Sequence, residues 1–310
     1  EPVPAPRFAQ VAVATDRSCA IDEDGGVLCW GLDLLSSDWG ATVLAPRPVN
    51  GVENAVSIAL GETYACALIE GAGLQCWGQT PIAGLEPGAL PEEPFFLSGS
   101  SDVTDFALSP GRICGVLTNG GVRCWGIMTD PGDCFEPATT VVDTFDLPGV
   151  SDVTTVAVSG SATCFTRVDG SASCWFGLVG ELFELPFTDA TRLYAAQSDG
   201  CFSAQASFCA VTSGGAVDCV DGFSMAELGA VTRIHEGDPA AVAILWRATP
   251  DEYCIEGASG ALWCKAAGGE VIEAEQVAVA QSHACALSSE ATLSCWGYSV
   301  TASTAANGSG

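Results

Sequence analysis

Lysine is all but missing from this chain of 310 residues: Lys265 stands alone beside nine arginines, against 38 aspartates and glutamates, for a net charge of −28. A surface so acidic repels nucleic acid and anionic lipid, and both are set aside as partners. Cationic proteins or bound Ca²⁺ suit the charge better. General solubility, or adaptation to salt, accounts for it without any ligand and is the preferred reading. Histidine is nearly absent too, with only His235 and His283, which argues against a metal centre built on clustered His and Cys ligands. No apolar run is long enough to span a membrane. No nucleophile elbow and no phosphate loop occur, so the chain is expected not to be an enzyme and to carry no cofactor. Carboxylate-pair chemistry needs no spacing motif, which leaves a glycan-processing enzyme as a distant reading.

Cysteine, by contrast, is abundant and regular. Seven times two cysteines lie ten positions apart: Cys19/Cys29, Cys66/Cys76, Cys114/Cys124, Cys164/Cys174, Cys209/Cys219, Cys254/Cys264 and Cys285/Cys295. A fixed motif recurring at such intervals marks a repeat architecture. In the first copy two short strands flank Asp24-Gly25-Gly26, a hairpin signal. If Cys19 faces Cys29, Ile21 faces Val27 on the same side, while Ala20, Leu28 and Trp30 line the other. Both sides are apolar, so the sheet is covered on both. Directly opposed residues of an antiparallel pair lie close enough for a disulfide. Each hairpin is therefore expected to be stapled by its own bridge, worth about 3 kcal/mol in the chain-entropy model. Copies four and six place Thr166 and Glu256 in the apolar slot beside the turn.

A further strand precedes each hairpin, as in Val11–Ala14, Ser57–Leu60, Phe106–Leu108, Val156–Val158, Leu193–Ala196 and Val277–Ala280, with Val231–Ile234 assigned to copy six. A looser fourth strand is read at 47–49, 95–97, 144–147 and 270–272. Four antiparallel strands in seven units describe an all-β fold, a seven-bladed β-propeller. The last copy lacks a fourth strand, and Pro2–Phe8 is expected to complete that blade and close the ring. The propeller is assigned to residues 1–300, and 301–310, with the sequon Asn307-Gly308-Ser309, to a flexible tail or linker.

The apolar Val-Ala strand, the Cys-Ala-Leu step and the Cys-Trp-Gly triplets at Cys29, Cys76, Cys124 and Cys295 resemble the regulator of chromosome condensation repeat. The likeness is greatest to its cysteine-bearing form in secreted or surface proteins of bacteria. It spans roughly residues 10 to 298 and is sharpest in Gln281–Leu287. It fades where Cys219-Val220 and Cys264-Lys265 replace Cys-Trp. The resemblance implies a seven-bladed propeller with protein-binding roles. The founding member's nucleotide-exchange and chromatin activities are not carried over, since a disulfide-rich acidic chain fits neither a nucleus nor DNA.

Sixteen cysteines fit an oxidising compartment. The protein is read as secreted or on the cell surface, with Glu1 near a mature terminus. In a four-stranded meander the first-to-second and third-to-fourth connections emerge at one end of the blade. There the sequence places long stretches at 32–45, 79–93 and 127–141, and insertions near 197–207 and 237–250. Long loops on a rigid scaffold carry binding. Leu34, Leu35, Trp39, Phe135, Phe202 and Trp246 are the candidate contacts for a protein partner on this face, although each could instead fold back onto its own loop. The two remaining cysteines, Cys134 and Cys201, fall on the same face and are read as an eighth bridge, with free thiols as the alternative. Asp130, Asp133 and Glu136 make a minor Ca²⁺ candidate; no metal site is assigned. The expected function is a protein-interaction module, with an extracellular assembly as one setting for it. An inhibitor of a secreted enzyme is the alternative, and a glycan-binding or glycan-processing propeller a further one.

Overall fold

The computed structural model describes residues 7–14, 16–34, 42–61, 63–78, 93–109, 111–129, 139–159, 162–176, 181–195, 206–223, 231–235, 241–249, 252–257, 261–265, 271–273, 276–279, 283–287 and 293–297. All of their regular structure is antiparallel β. The first sheet runs β1 (Phe8–Ala14), β2 (Arg17–Asp22), β3 (Val27–Leu32), β4 (Thr42–Pro48), and each strand pairs with the next in sequence. The second is β5 (Ala55–Leu60), β6 (Tyr64–Ile69), β7 (Gly73–Gly78), β8 (Phe95–Phe96). The third is β9 (Val103–Ser109), β10 (Arg112–Leu117), β11 (Val122–Thr129), β12 (Thr139–Asp146). The fourth is β13 (Val153–Ser159), β14 (Ala162–Arg167), β15 (Ala172–Phe176), β16 (Glu181–Leu185). The fifth is β17 (Ala190–Ala195), β18 (Ala206–Thr212), β19 (Val217–Phe223), β20 (Val231–His235). Two more follow: β21 (Ala241–Thr249), β22 (Glu252–Gly257), β23 (Ala261–Lys265), β24 (Val271–Glu273); then β25 (Gln276–Val279), β26 (His283–Leu287), β27 (Leu293–Gly297).

The cysteine register is as the spacing implies. Cys19 stands opposite Cys29 and Ile21 opposite Val27. Disulfides join Cys19–Cys29, Cys66–Cys76, Cys114–Cys124, Cys164–Cys174 and Cys209–Cys219. Cys254 faces Cys264 and Cys285 faces Cys295 in backbone register. Cys134 and Cys201 lie outside the described residues. The central hairpin is buried on both faces, completely so in β6 and β7. Between sheets the indoles do the packing. Trp77 lies in a core with Ile21, Val27 and Val49 of the first sheet, and Trp175 in one with Cys114, Val116 and Val122 of the third. Trp125 lies likewise with Leu68, Leu74 and Leu97 of the second. Each of these tryptophans covers the sheet before its own, by burial of apolar area. In the fourth hairpin Thr166 fills the apolar slot without loss, because its hydroxyl lies 2.8 Å from those of Thr154 and Thr155.

Successive first strands lie side by side: β1 beside β5, β9 beside β13, β13 beside β17, and β25 beside β1. Nearly all share a device that the periodicity did not reveal. One extra residue, a β-bulge, precedes Gln10, Ser57, Asp105, Thr155 and Arg192. Where that extra residue is Thr104, Thr154 or Thr191, its hydroxyl donates to the carbonyl of Val116, Thr166 or Val211 across the strand.

Four sequence expectations need correction. Val231–Ile234 is not the first strand of the sixth unit. It belongs to β20, the fourth strand of the fifth sheet, where Arg233 faces Asp218 and pairs with it at 2.8 Å. The first strand of the sixth unit is β21, so the stretch 237–250 is mostly strand and not an inserted loop. Its Ala-Val-Ala-Ile-Leu-Trp run has the apolar continuity of a strand covered on both faces. The supposed loop 127–141 is shorter than read, because Ile127 pairs with Val141 and Thr129 with Thr139. Phe8 opens β1 opposite Asp22 and so belongs to the first sheet, not to a strand of the last; residues 1–6 lie outside the described residues.

Candidate functional site

The two ends of the sheets differ in how their connections are closed. At the hairpin-turn end, backbone bonds tie three of the turns to the next sheet: Ala55 N donates to Gly25 O, Val153 N to Gly120 O, and Ala190 N to Gly170 O. Carboxylate and amide side chains brace these turns. Asp22, Asn119 and Asp169 accept from the N–H groups of Gly26, Gly121 and Ser171. The opposite end carries the connections 33–41, 79–94, 130–138 and 196–205, which the described strands bracket.

Beneath that end runs a set of links between sheets. In the first three sheets they start from the residue two positions before the first cysteine. The Tyr64 hydroxyl donates to the carbonyls of Ser109, at 2.6 Å, and Arg112, at 3.0 Å. The Arg112 guanidinium donates to Ala162 O at 2.9 Å, and that of Arg17 reaches Gly61 O at 3.5 Å. Burial pushes the Tyr64 phenol well above its usual range and draws Arg112 down to about 10. His283 occupies the same position in the last unit. Large polar residues at one repeat position were the signal in the sequence that could have found these links.

The position two beyond each second cysteine explains the triplet. Gly31, Gly78 and Gly126 have φ between +92° and +104°. A side chain there would strike the backbone at the start of the second strand.

The first-strand position following each bulge is polar in all of the first five sheets. Gln10 Oε1 accepts from Ile58 N at 3.0 Å, and Asp105 Oδ2 from Val156 N at 3.1 Å. Asp105 also meets Arg192 at 3.5 Å, so one carboxylate ties the third, fourth and fifth sheets together. Burial raises its carboxyl above the ordinary value, while Arg192 and the backbone donors oppose the rise. A folded value above the unfolded one means that the folded state holds the proton more tightly. The associated stability is present below the unfolded value and is lost as pH rises towards the raised one. Asp105→Asn keeps the acceptor and cannot ionise. The melting temperature of wild type minus variant should therefore fall as pH rises through the acid range; a difference that grows with pH contradicts the assignment.

Arginine is consumed internally. Arg7, Arg123, Arg167, Arg192 and Arg233 pair with Glu23, Asp146, Glu184, Asp105 and Asp218. The Arg123–Asp146 pair is bidentate, which holds the Asp146 carboxyl below its usual range.

Of the residues picked from sequence for binding, Leu34 is half-buried and packs with the core that holds Trp77, so it folds inward. Trp246 lies in β21, opposite Cys254 in register. Leu35, Trp39, Phe135 and Phe202, and the Ca²⁺ candidates Asp130, Asp133 and Glu136, lie outside the described residues. Among the described residues no cluster of His, Cys, Asp and Glu has the geometry of a metal site, and no helix is long and apolar enough to cross a membrane.

No family model matches the chain, and no curated protein matches its sequence. Solved structures do match. Yeast RCC1 (Prp20), in a crystal structure with Kap60, is 14% identical with a TM-score of 0.66, over 95% of this chain and 81% of that one. The CRINKLY WD40 ectodomain of the Arabidopsis thaliana receptor kinase ACR4 is 14% identical with a TM-score of 0.59, over 97% of this chain and 99% of that one. The β-propeller domain of Cps50 (Swd1) from Myceliophteria thermophila is 12% identical with a TM-score of 0.58, covering 95% and 98%. The fold is an RCC1-like β-propeller of antiparallel sheets.

Proposed function

We propose that this chain is a closed, seven-bladed β-propeller, secreted or displayed on the cell surface, that binds a protein partner through its long-loop face and performs no catalysis. The difference between its two ends carries the reading. One end is sealed by short, hydrogen-bonded turns, and the other bears the long connections. Closure is supported by Trp30. It is 1% exposed, and the indoles of Trp77, Trp125 and Trp175 are each covered by the preceding sheet; for the first sheet that neighbour is the last, whose β25 and β26 lie against β1. Five formed disulfides support maturation in an oxidising compartment. The propellers it resembles include one solved with a protein bound, RCC1 with Kap60, and one that is a receptor ectodomain.

The test is capture from the native extracellular fraction with three baits: wild type, a variant with 79–93 replaced by a short Gly-Ser turn, and a variant with Glu23 and Glu70 changed to Gln at the hairpin end. A partner retained by wild type and the hairpin variant, and lost by the loop variant, supports the reading. Retention of one secreted enzyme whose activity falls on binding would make the protein its inhibitor. Loss at the hairpin variant alone, or turnover of a glycan by the free protein, overturns it.

A further inference from the structure

Of the ten cysteines in described disulfides, nine are buried; Cys29 is the exception and is half-buried. It lies, with its partner Cys19, on the wall of a cavity of about 60 Å³ between the first and second sheets. Arg17, Arg47 and Asp33 are the charged residues of that wall, and Trp77 of the second sheet closes it. In the second hairpin Tyr64 takes the position of Arg17 and is itself fully buried. Two of the ten cationic residues of the chain therefore meet beside its most accessible described disulfide.

We propose that Cys19–Cys29 is a thiol-exchange site, addressed by a small anionic thiol of the glutathione class. A thiolate is drawn past the acidic surface by the local guanidinium charge and attacks Cys29 Sγ. The Cys19–Cys29 bond breaks as the Cys29–thiol bond forms, and its electron pair leaves on Cys19 Sγ, beside Arg17. A nearby cation favours a thiolate leaving group. A second thiolate then attacks the outer sulfur of the mixed disulfide and releases Cys29 as thiolate. Two small thiols are oxidised to their disulfide, and the protein bridge gains two electrons and, on protonation, two hydrogens. The site lies where β3 leads into the connection 33–41 on the long-loop face, so exchange would loosen the hairpin that carries that loop.

The intact protein is treated with reduced glutathione for graded times, alkylated, and mapped by peptide mass spectrometry, with circular dichroism followed in parallel. Cys19 and Cys29 should be labelled about tenfold faster than Cys66, Cys76, Cys114, Cys124, Cys164, Cys174, Cys209 and Cys219, with the β signal retained. Arg47→Ala should slow glutathione about fivefold, the size of one near charge in water, and slow 2-mercaptoethanol, whose attacking thiolate carries one negative charge fewer, by clearly less. Earlier labelling of another of these pairs, or simultaneous labelling of all with loss of the β signal, overturns the proposal. Equal slowing of both thiols by Arg47→Ala overturns the electrostatic part.

Discussion

Exhaustive reduction under non-denaturing conditions, with a reductant strong enough to reach buried bridges, will unfold this protein. The smallest version of the same experiment, Cys66→Ala with Cys76→Ala, will cost about 3 kcal/mol, as expected for a closed loop of this size. Both sulfurs are at 0% exposure, so the alanines also leave a void in a core shared with Leu68, Leu74 and Phe106, which adds to the loss. A domain typically holds only about 5–15 kcal/mol of net stability, and several bridges of this size together reach that scale even if they are not additive. The short hairpins are held by sheet pairing and packing alone once the bridges are cut. The measurement is a denaturant titration of the double variant, followed by far-UV circular dichroism of the fully reduced protein. A double variant within about 1 kcal/mol of wild type, or a reduced chain that keeps its β signal, would mean that packing alone carries the fold.

The second large effect is steric. Gly78 has φ +92°, and a Cβ there would sit 2.7 Å from the Thr63 carbonyl oxygen and 2.9 Å from Tyr64 Cα. Both obstacles are backbone, fixed by pairing of Tyr64 with Gly78 itself. Left-handed strain and overpacking each cost about 1–3 kcal/mol, so Gly78→Ala should lose about 2–6 kcal/mol. Gly51→Ala is the control, at a position with φ +83° and nothing within 4 Å of an added methyl group. There only the backbone preference is lost, about 1 kcal/mol. Equal melting temperatures for the two variants would show that the strand start can shift to admit a side chain.

How far the sequence could be read follows from what each feature depends on. The ten-residue cysteine spacing settled register, because Cys19 and Cys29 can join only if the hairpin places them opposite. That register fixed which residues share a face, and hence the core. The glycine of Cys-Trp-Gly was visible as a letter but not as a reason, since its role is avoidance of backbone at the start of the neighbouring strand, at Asp16, Thr63 or Gly111. The sixth unit misled although its first strand, Ala241–Thr249, carries the Val-Ala pattern: the weaker Val231–His235 ahead of it was read as that strand, and the Ala-Val-Ala run as part of an insertion. Edge strands such as Phe95–Phe96 have little periodicity to read. The links through Tyr64 and Arg112 and the tie at Asp105 join units some fifty residues apart, at distances no local pattern encodes. Of the long stretches, the third-to-fourth connections at 33–41 and 79–94 were legible, whereas that at 127–141 was read too long and 237–250 is mostly strand. The inward turn of Leu34 was not legible, because an isolated leucine in a loop carries no sign of which neighbour it will meet.

With 38 acidic residues against ten basic ones, and five of the arginines already paired with carboxylates, the charge left over is overwhelmingly of one sign. Copies of this molecule meet one another as like-charged bodies at low ionic strength, and added electrolyte is what lets them approach. An encounter that succeeds must therefore bring its own positive charge or wait for salt to shorten the reach of the field. Crowding would space these propellers apart before it packed them together.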